Sequence, residues 1–243
     1  MYENSREYSI QPHCPWYEAQ QSYGPPNVKW CEKTQCAWVN EPANAYSNAG
    51  YLLAGVLIMV KLSRGKDRLM KELGLMIFLM GLGSFIYHAT NNFFTQFFDF
   101  LGMFLMTSIV MGVFTKRIRG ESVRTHYAYS WMYLFLNTFM FWAFYLNKVP
   151  VQFTVIVNTL VLITMEVCGR LKEEKSPKLK HFLGAIVSLG IAQFFSGLDL
   201  KRTWCEPDNL ILHGHAVWHL IGAVGMVFLG FYIKELIKVK ESQ

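Results

Sequence analysis

Seven long apolar segments constrain the fold of this chain more than any other feature of its sequence. A helix needs about 20 mostly apolar residues to cross a bilayer, and 52% of the 243 residues are hydrophobic. Short polar or charged breaks separate the segments, which cover residues 43–62, 70–89, 97–115, 128–146, 150–169, 181–198 and 213–235. We therefore predict an all-α integral membrane protein with seven transmembrane helices.

The basic residues predict how these helices are oriented. Lys and Arg are concentrated in the loops after the first, third and fifth segments and in the C-terminal tail, and they are scarce in the other loops. Because cytoplasmic loops carry the excess of Lys and Arg, we place the N-terminus outside and the C-terminus in the cytoplasm. The predicted parts are an extracytoplasmic segment 1–42, a seven-helix transmembrane domain 43–238 and a cytoplasmic tail 239–243.

The formal net charge of +6 raises the question of a nucleic-acid partner. The basic residues lie at the ends of apolar segments, where they contact lipid headgroups or set topology. The sequence has no basic stripe with a recognition motif. We therefore expect membrane lipids as partners and no nucleic acid, and the sequence indicates no particular protein partner.

Five polar residues lie where the predicted helices should be apolar, and an ionisable residue in a membrane helix indicates a functional site. Ser84 and His88 are one turn apart near the end of the second segment. Asp99 begins the third segment, and His215 and His219, again one turn apart, begin the seventh. The second helix runs outward and the other two run inward. All five residues are therefore expected at the outer level of the membrane.

Three histidines at one level favour zinc, which takes three nitrogen ligands and leaves a fourth position open for water. We expect His88, His215 and His219 to bind the metal and to activate a water molecule. Asp99 could take the proton of that water and pass it to a leaving group, and Ser84 could hydrogen-bond the water or a developing oxyanion. The alternative is that the histidines only bridge helices by hydrogen bonds. A serine nucleophile is disfavoured because no Gly-x-Ser-x-Gly elbow occurs.

Three blocks of sequence resemble the alkaline ceramidases. They are Ser84-Phe-Ile-Tyr-His88 with Asp99 and His215-Ala-Val-Trp-His219; Trp30-Cys31-Glu32 with Glu41-Pro-Ala-Asn44-Ala-Tyr-Ser47-Asn48; and Leu198-Asp199 with Cys205-Glu206. The first block is also similar to the wider seven-span superfamily of adiponectin receptors and Per1-like proteins. The resemblance implies a zinc-dependent amidase that splits ceramide into a sphingoid base and a fatty acid. It implies zinc ligands at His88, His215 and His219, with Asp99 and Ser84 beside the water. The outside N-terminus agrees with the ceramidases and differs from the adiponectin receptors.

The resemblance also implies a calcium site in the N-terminal block, for which Trp30, Glu32 and Glu41 are the candidates. Eukaryotic relatives carry an acidic residue before the Trp and an Asn shortly after it, whereas Lys29 and Thr34 stand at these places. Calcium prefers six to eight oxygen ligands, so two carboxylates count against a bound calcium. We expect Lys29 to be a solvated loop charge, and a fixed positive charge in the site is the alternative.

The family resemblance implies a disulfide between Cys31 and Cys205, which would fasten the N-terminal segment over the site. Cys14 and Cys36 remain competing partners, because sequence alone cannot assign connectivity. Disulfides persist in oxidising compartments. The membrane is then a bacterial inner membrane or that of the endoplasmic reticulum or Golgi, and the sequence does not decide between them.

The leading hypothesis from sequence is a membrane-embedded, zinc-dependent amidase in which activated water hydrolyses ceramide. A related lipid acyl-ester hydrolase, similar to a phospholipase A, is the second reading. A third is a seven-span receptor or scaffold in which zinc is structural.

Overall fold

The computed structural model describes residues 10–63, 67–173 and 175–241, and within these ranges the regular structure is helical and contains no strand. The first nine residues of the predicted N-terminal segment lie outside the described ranges. So do Arg64 and Lys66 of the first basic loop, and residues 242 and 243 of the predicted tail.

All seven predicted segments are largely helical. The N-terminal region contains α1 (Tyr17–Tyr23), α2 (Pro42–Ser47) and α3 (Ala49–Leu57), and α3 continues as a π-helical turn over Ile58–Leu62. The long helices are α4 (Arg68–Thr90), α5 (Phe93–Ile118), α6 (Tyr127–Leu146), α7 (Phe153–Lys172), α8 (Leu179–Leu200) and α9 (Gly214–Glu241), with a 3₁₀ turn at Val123–Thr125 before α6. Helix α9 therefore extends through most of the predicted tail.

Six helices in the described part of the chain are long and apolar enough to cross a membrane. The first is formed by α2, α3 and the π-helical turn together, and the others are α4, α5, α7, α8 and α9. Helix α6 has 20 residues, but four are tyrosine and two are tryptophan. By length and composition, six of the seven predicted spans are thus candidate membrane-spanning helices.

The connection between α4 and α5 explains why two asparagines follow the second predicted segment. Asn91 ends α4 in the left-handed conformation, with φ +50°, which asparagine adopts more readily than most residues. Asn92 then caps α5, because its side-chain oxygen accepts a hydrogen bond of 3.1 Å from the Thr95 N–H. The chain reverses direction within two residues, so the end of α4 and the start of α5 share one level.

Small residues allow α4 to approach its neighbours closely. A Cβ atom added at Gly102 of α5 would lie 2.8 Å from the Met80 Cα of α4, and one added at Gly55 would lie 2.7 Å from the Gly74 carbonyl oxygen. Helix α9 packs against α8 and also contacts α2, α3 and α4. Its buried Tyr232 and Leu236 belong to the main apolar core. Helix α9 therefore lies inside the bundle, where its first turns can meet the end of α4.

The N-terminal segment packs across the end of the bundle at which α4 ends and α9 begins. The Asn40 and Glu41 N–H groups each donate a hydrogen bond of 3.0 Å, to the Ala89 and His88 carbonyls respectively. Farther back in the segment, the Asn27 N–H donates to Gln96 Oε1 of α5 at 2.9 Å. These contacts bring side chains of the N-terminal segment next to the polar residues of the long helices.

Candidate metal centre

Three buried histidines converge at the covered end of the bundle. His88 lies in the last turn of α4, and His215 and His219 lie in the first two turns of α9. One nitrogen from each ring can be chosen so that all three atoms lie within 4.8 Å of one another. The structure therefore brings together the three residues that the sequence places at one level.

The ring of His88 is oriented by a carboxylate of the N-terminal segment. His88 Nδ1 lies 2.8 Å from Glu41 Oε2, and both side chains are almost fully buried. Burial raises the pKa of Glu41, but Lys29 and His88 outweigh it and lower that pKa to about 2. An ionised carboxylate only accepts hydrogen bonds, so Nδ1 carries the proton and Nε2 presents its lone pair to the cluster.

A serine fixes the ring of His219 in the same way. The Ser47 hydroxyl donates to the Asn44 carbonyl at 2.9 Å, and its oxygen lies 2.8 Å from His219 Nδ1. Because the serine proton is already engaged, the serine oxygen accepts from Nδ1. The lone pair of His219 is therefore on Nε2, the atom that lies 3.5 Å from Ser84 Oγ.

His215 is held through its backbone and through its ring. The Asp199 carboxylate accepts from the His215 N–H at 3.1 Å and from the Cys31 N–H at 2.7 Å, so it links the start of α9 to the N-terminal segment. Trp30 stacks on the His215 ring with 3.5 Å between the centroids and 11° between the planes. The first contact fixes the backbone of the ligand candidate, and the second limits rotation of its ring.

The distance between two of the histidine nitrogens fits a tetrahedral metal. His88 Nε2 and His215 Nε2 lie 3.2 Å apart. Two ligands of a tetrahedral zinc with Zn–N distances of about 2.0 Å would be about 3.3 Å apart. Imidazole nitrogens are also ligands that zinc prefers, and the Nε2 atoms of His88 and His219 face the cluster. The residues present thus fit the metal that the sequence predicts.

Asp99 and Ser84 lie beside the histidines in one cavity. Its lining includes Ser84, Asp99, His215 and His219. Ser84 is buried on α4 one turn before His88, and Asp99 is half-buried in the second turn of α5. All five residues that the sequence singles out as polar positions in the predicted spans therefore meet at one place.

A second cavity adjoins the first and is almost entirely apolar. The two share Tyr51, Met80, Met103, Val155 and Trp218 in their linings. The second continues between α5, α7, α8 and α9 and is lined by Leu162, Phe182, Ile186 and Leu229 among others. A polar, histidine-lined space thus opens onto an apolar one inside the bundle.

A family model described as ceramidase matches residues 24–243, nearly the whole chain. The chain belongs to the ceramidase family. This membership supports a ceramide-hydrolysing function and implies a lipid substrate in the membrane. It confirms the family that the three sequence blocks indicate. A comparison with curated protein sequences found no match.

The calcium candidates of this ceramidase-family chain have other partners. Glu32 uses both carboxylate oxygens to accept from the Ala43 and Asn44 N–H groups, at 2.7 and 2.9 Å, at the start of α2. Burial raises the pKa of Glu32 to about 7, although these two N–H groups oppose the shift. Glu41 faces His88 and Lys29, and Trp30 covers His215.

Lys29 corrects an expectation from the sequence. Its side chain is only 9% exposed, and Nζ donates to Glu41 Oε1 at 3.1 Å. It is therefore not a solvated loop charge, because Glu41 and neighbouring oxygen atoms enclose it. An ammonium group at this position does not fit a calcium ion beside the same carboxylate, since the two cations would repel each other.

Two disulfides fasten the N-terminal segment. Cys31 is bonded to Cys205, which is the pairing implied by the family resemblance, and Cys14 is bonded to Cys36. All five cysteines lie in the described ranges, and the fifth, Cys168 on α7, is a free thiol. The bond between Cys31 and Cys205 closes a sequence separation of 174 residues and ties the cover of the site to the loop before α9.

Sequence reasoning assigned no role to Ser47 or to Asp199, although both lie in the sequence blocks that resemble the ceramidases. It also missed that Trp30 stacks on a histidine. Each of these roles depends on a partner far along the chain; Ser47 and His219, for example, have a sequence separation of 172. The family blocks themselves were the available signal, since they contain residues that no helix pattern requires.

Proposed function

We propose that this protein is a membrane-embedded, zinc-dependent amidase that hydrolyses ceramide to a sphingoid base and a fatty acid. The observation that carries the proposal is the convergence of three buried histidines, two of which are held by their partners with Nε2 lone pairs facing the cluster. When bound there, zinc would polarise a carbonyl group and lower the pKa of a coordinated water to near neutrality.

Asp99 and Ser84 are proposed as the residues that handle protons and charge. The Asp99 carboxylate would take a proton from the attacking water while the water oxygen bonds to the amide carbon. The same proton then goes to the nitrogen of the sphingoid base as the C–N bond breaks, which balances the hydrolysis. The Ser84 hydroxyl would donate to the oxyanion that develops on the carbonyl oxygen.

The adjoining apolar cavity supports a lipid substrate. An amide carbon at the histidines can extend a hydrocarbon chain into the space lined by Leu162, Ile186 and Leu229, where it would be removed from water and from polar groups. Leu162→Trp should therefore reduce turnover of long-chain ceramides more than of short-chain ones. Leu160→Trp is the matched control, because Leu160 lies on the same helix and is 58% exposed.

We propose seven transmembrane helices, with α6 as the additional one. Its Trp131, Phe135 and Phe139 are spaced four residues apart and are 65 to 72% exposed, which is an apolar stripe suited to lipid. The boundaries proposed from the sequence remain a segment 1–42, a catalytic helical domain 43–238 and a tail 239–243.

We also propose that the histidine end faces outside, with the N-terminus there and the C-terminus in the cytoplasm. Both disulfides are at that end, and disulfides persist in oxidising compartments. Reagents that do not cross membranes should label a cysteine introduced at exposed Lys33 in sealed cells or vesicles, and one at exposed Arg119 only after permeabilisation. The reverse pattern would contradict this orientation.

The decisive experiment measures fatty-acid release from ceramide by the purified protein, before and after zinc removal and restoration. A parallel series of phospholipids distinguishes amide from ester hydrolysis. Zinc at one ion per chain with no turnover on any lipid would contradict the proposal and favour a receptor or scaffold with structural zinc.

A further inference from the structure

The ammonium group of Lys29 lies in a cage of oxygen atoms beside the histidine cluster. Nζ donates to the Glu32 carbonyl and to Thr34 Oγ1 at 2.7 Å each, and to Glu41 Oε1 at 3.1 Å. A lysine ammonium has three N–H donors, and each has an oxygen acceptor here. The cage is closed by Asn91, whose amide donates to Thr34 Oγ1 and Glu41 Oε1 at 3.0 and 3.1 Å.

These oxygen atoms are of the kinds that bind a divalent cation: a peptide carbonyl, a hydroxyl and a carboxylate. We propose that Lys29 is a built-in cation that replaces a bound divalent metal at this position and positions His88 through Glu41. On this proposal the protein needs no calcium at this position. The lysine side chain also has a suitable length. Its ammonium group lies about as far from the backbone as a calcium ion would if an aspartate stood at position 29 and bound it with a Ca–O distance of about 2.4 Å.

The connection to His88 runs through the two oxygens of one carboxylate. Glu41 Oε1 accepts from Lys29, and Glu41 Oε2 lies 2.8 Å from His88 Nδ1. Without the ammonium group, Glu41 would be a buried carboxylate lacking its compensating cation, which is strongly destabilising. Lys29 is thus a positioning residue. This positioning role rests on the proposed function, in which His88 is a zinc ligand.

The first experiment starts from the unmodified protein. Purified full-length protein is dialysed against calcium chloride, its bound calcium is counted, and its thermal unfolding is compared with that in magnesium chloride. We expect no stoichiometric calcium and no calcium-specific shift. One calcium per chain that raises the unfolding temperature and is lost in Glu41→Gln would overturn the proposal.

The second experiment restores a metal requirement. Lys29→Asp removes the ammonium group and adds a carboxylate to the cage. We expect its unfolding temperature to fall in calcium-free buffer, on the order of 10 °C, and to recover when calcium is added. Lys33→Asp is the matched control, because Lys33 is exposed and pairs only with exposed Asp208 among the described residues. A Lys29→Asp protein that is as stable as the parent without calcium would sink the idea.

The third experiment measures the effect on the histidines by zinc affinity, using competition with a chromophoric chelator. Lys29→Met should weaken zinc binding about tenfold, whereas Lys33→Met should leave it unchanged. Equal zinc affinities in the two variants would refute the positioning role. None of these readouts uses ceramide, so a protein that passes them and hydrolyses no lipid would overturn the proposed function and leave the assignment of Lys29 intact.

Discussion

Buried polar clusters occupy both ends of this helix bundle, and they are built on opposite principles. At the end away from the histidines, Arg117 is fully buried and donates to Glu166, Glu173 and Tyr232. Glu166 also pairs with Arg170, and Glu173 pairs with Lys240 at 2.8 Å. Each arginine and lysine of this cluster is thus paired with a carboxylate. Glu166 thus pairs with two arginines in the buried network.

At the other end, the cluster consists of like groups. Three imidazoles approach one another, and Glu41 and Ser47 keep the proton on the outer nitrogen of His88 and His219. Lone pairs then face each other in the centre, an arrangement that a cation would stabilise. The comparison teaches that a satisfied network holds helices together, whereas a cluster with a surplus of electron-pair donors indicates a binding site.

Removing one histidine, and with it one proposed metal ligand, should have the largest effect. In His215→Ala we expect zinc content and ceramide hydrolysis to fall to background, because two ligands hold zinc far more weakly than three. Elemental analysis and fatty-acid release measure both. His181→Ala, near the opposite end, should change neither. Full turnover without metal in His215→Ala would contradict the claim that the histidine end is a metal-binding site.

Asp99→Asn should separate binding from chemistry. The amide is nearly isosteric but cannot take up a proton, so we expect kcat to fall by about 10²–10⁴ while zinc content stays at one ion per chain. Steady-state kinetics with metal analysis tests this. Asp208→Asn, an exposed carboxylate at the same end, is the control. An unchanged kcat would exclude Asp99 from proton transfer.

Arg117→Met should break the satisfied network and leave zinc binding intact. Glu166 and Glu173 would lose their shared buried partner, which costs about 3–5 kcal/mol of stability. Unfolding in denaturant measures the loss, and Arg119→Met, 58% exposed, is the control. If well-folded Arg117→Met lost its zinc, the two ends would not be independent.

The smallest expected effect comes from Ser47→Ala. His219 would lose the acceptor that fixes its proton on Nδ1, so zinc affinity should fall about tenfold. At the other end Ser130 Oγ lies 2.8 Å from His126 Nδ1. Ser130→Ala is therefore a matched control that should not change zinc affinity. Equal affinities in the two variants would mean that Ser47 does not orient His219.

Much of the candidate site was predictable because membrane helices leave few choices. An apolar run long enough to span the bilayer fixes the level of the residues at its ends, so Ser84, His88 and Asp99 had to lie close to one another. The prediction for Lys29 was wrong for a related reason. The sequence of a polar loop does not show whether a charged side chain in it is buried. The acceptors of Lys29 belong to residues 32, 34 and 41, and they surround its ammonium group only after the loop has folded.

The helices, the shared level of the five polar residues and the family could all be predicted from the sequence. These follow from local properties, namely apolar length, helical spacing and short motifs. Tertiary packing sets which nitrogen His88 and His219 present to the cluster. It also places Trp30 and Asp199 against His215 and an ammonium group in the oxygen cage at Glu41. Such contacts join residues far apart along the chain, so their geometry exists only after the helices and the covering segment have packed.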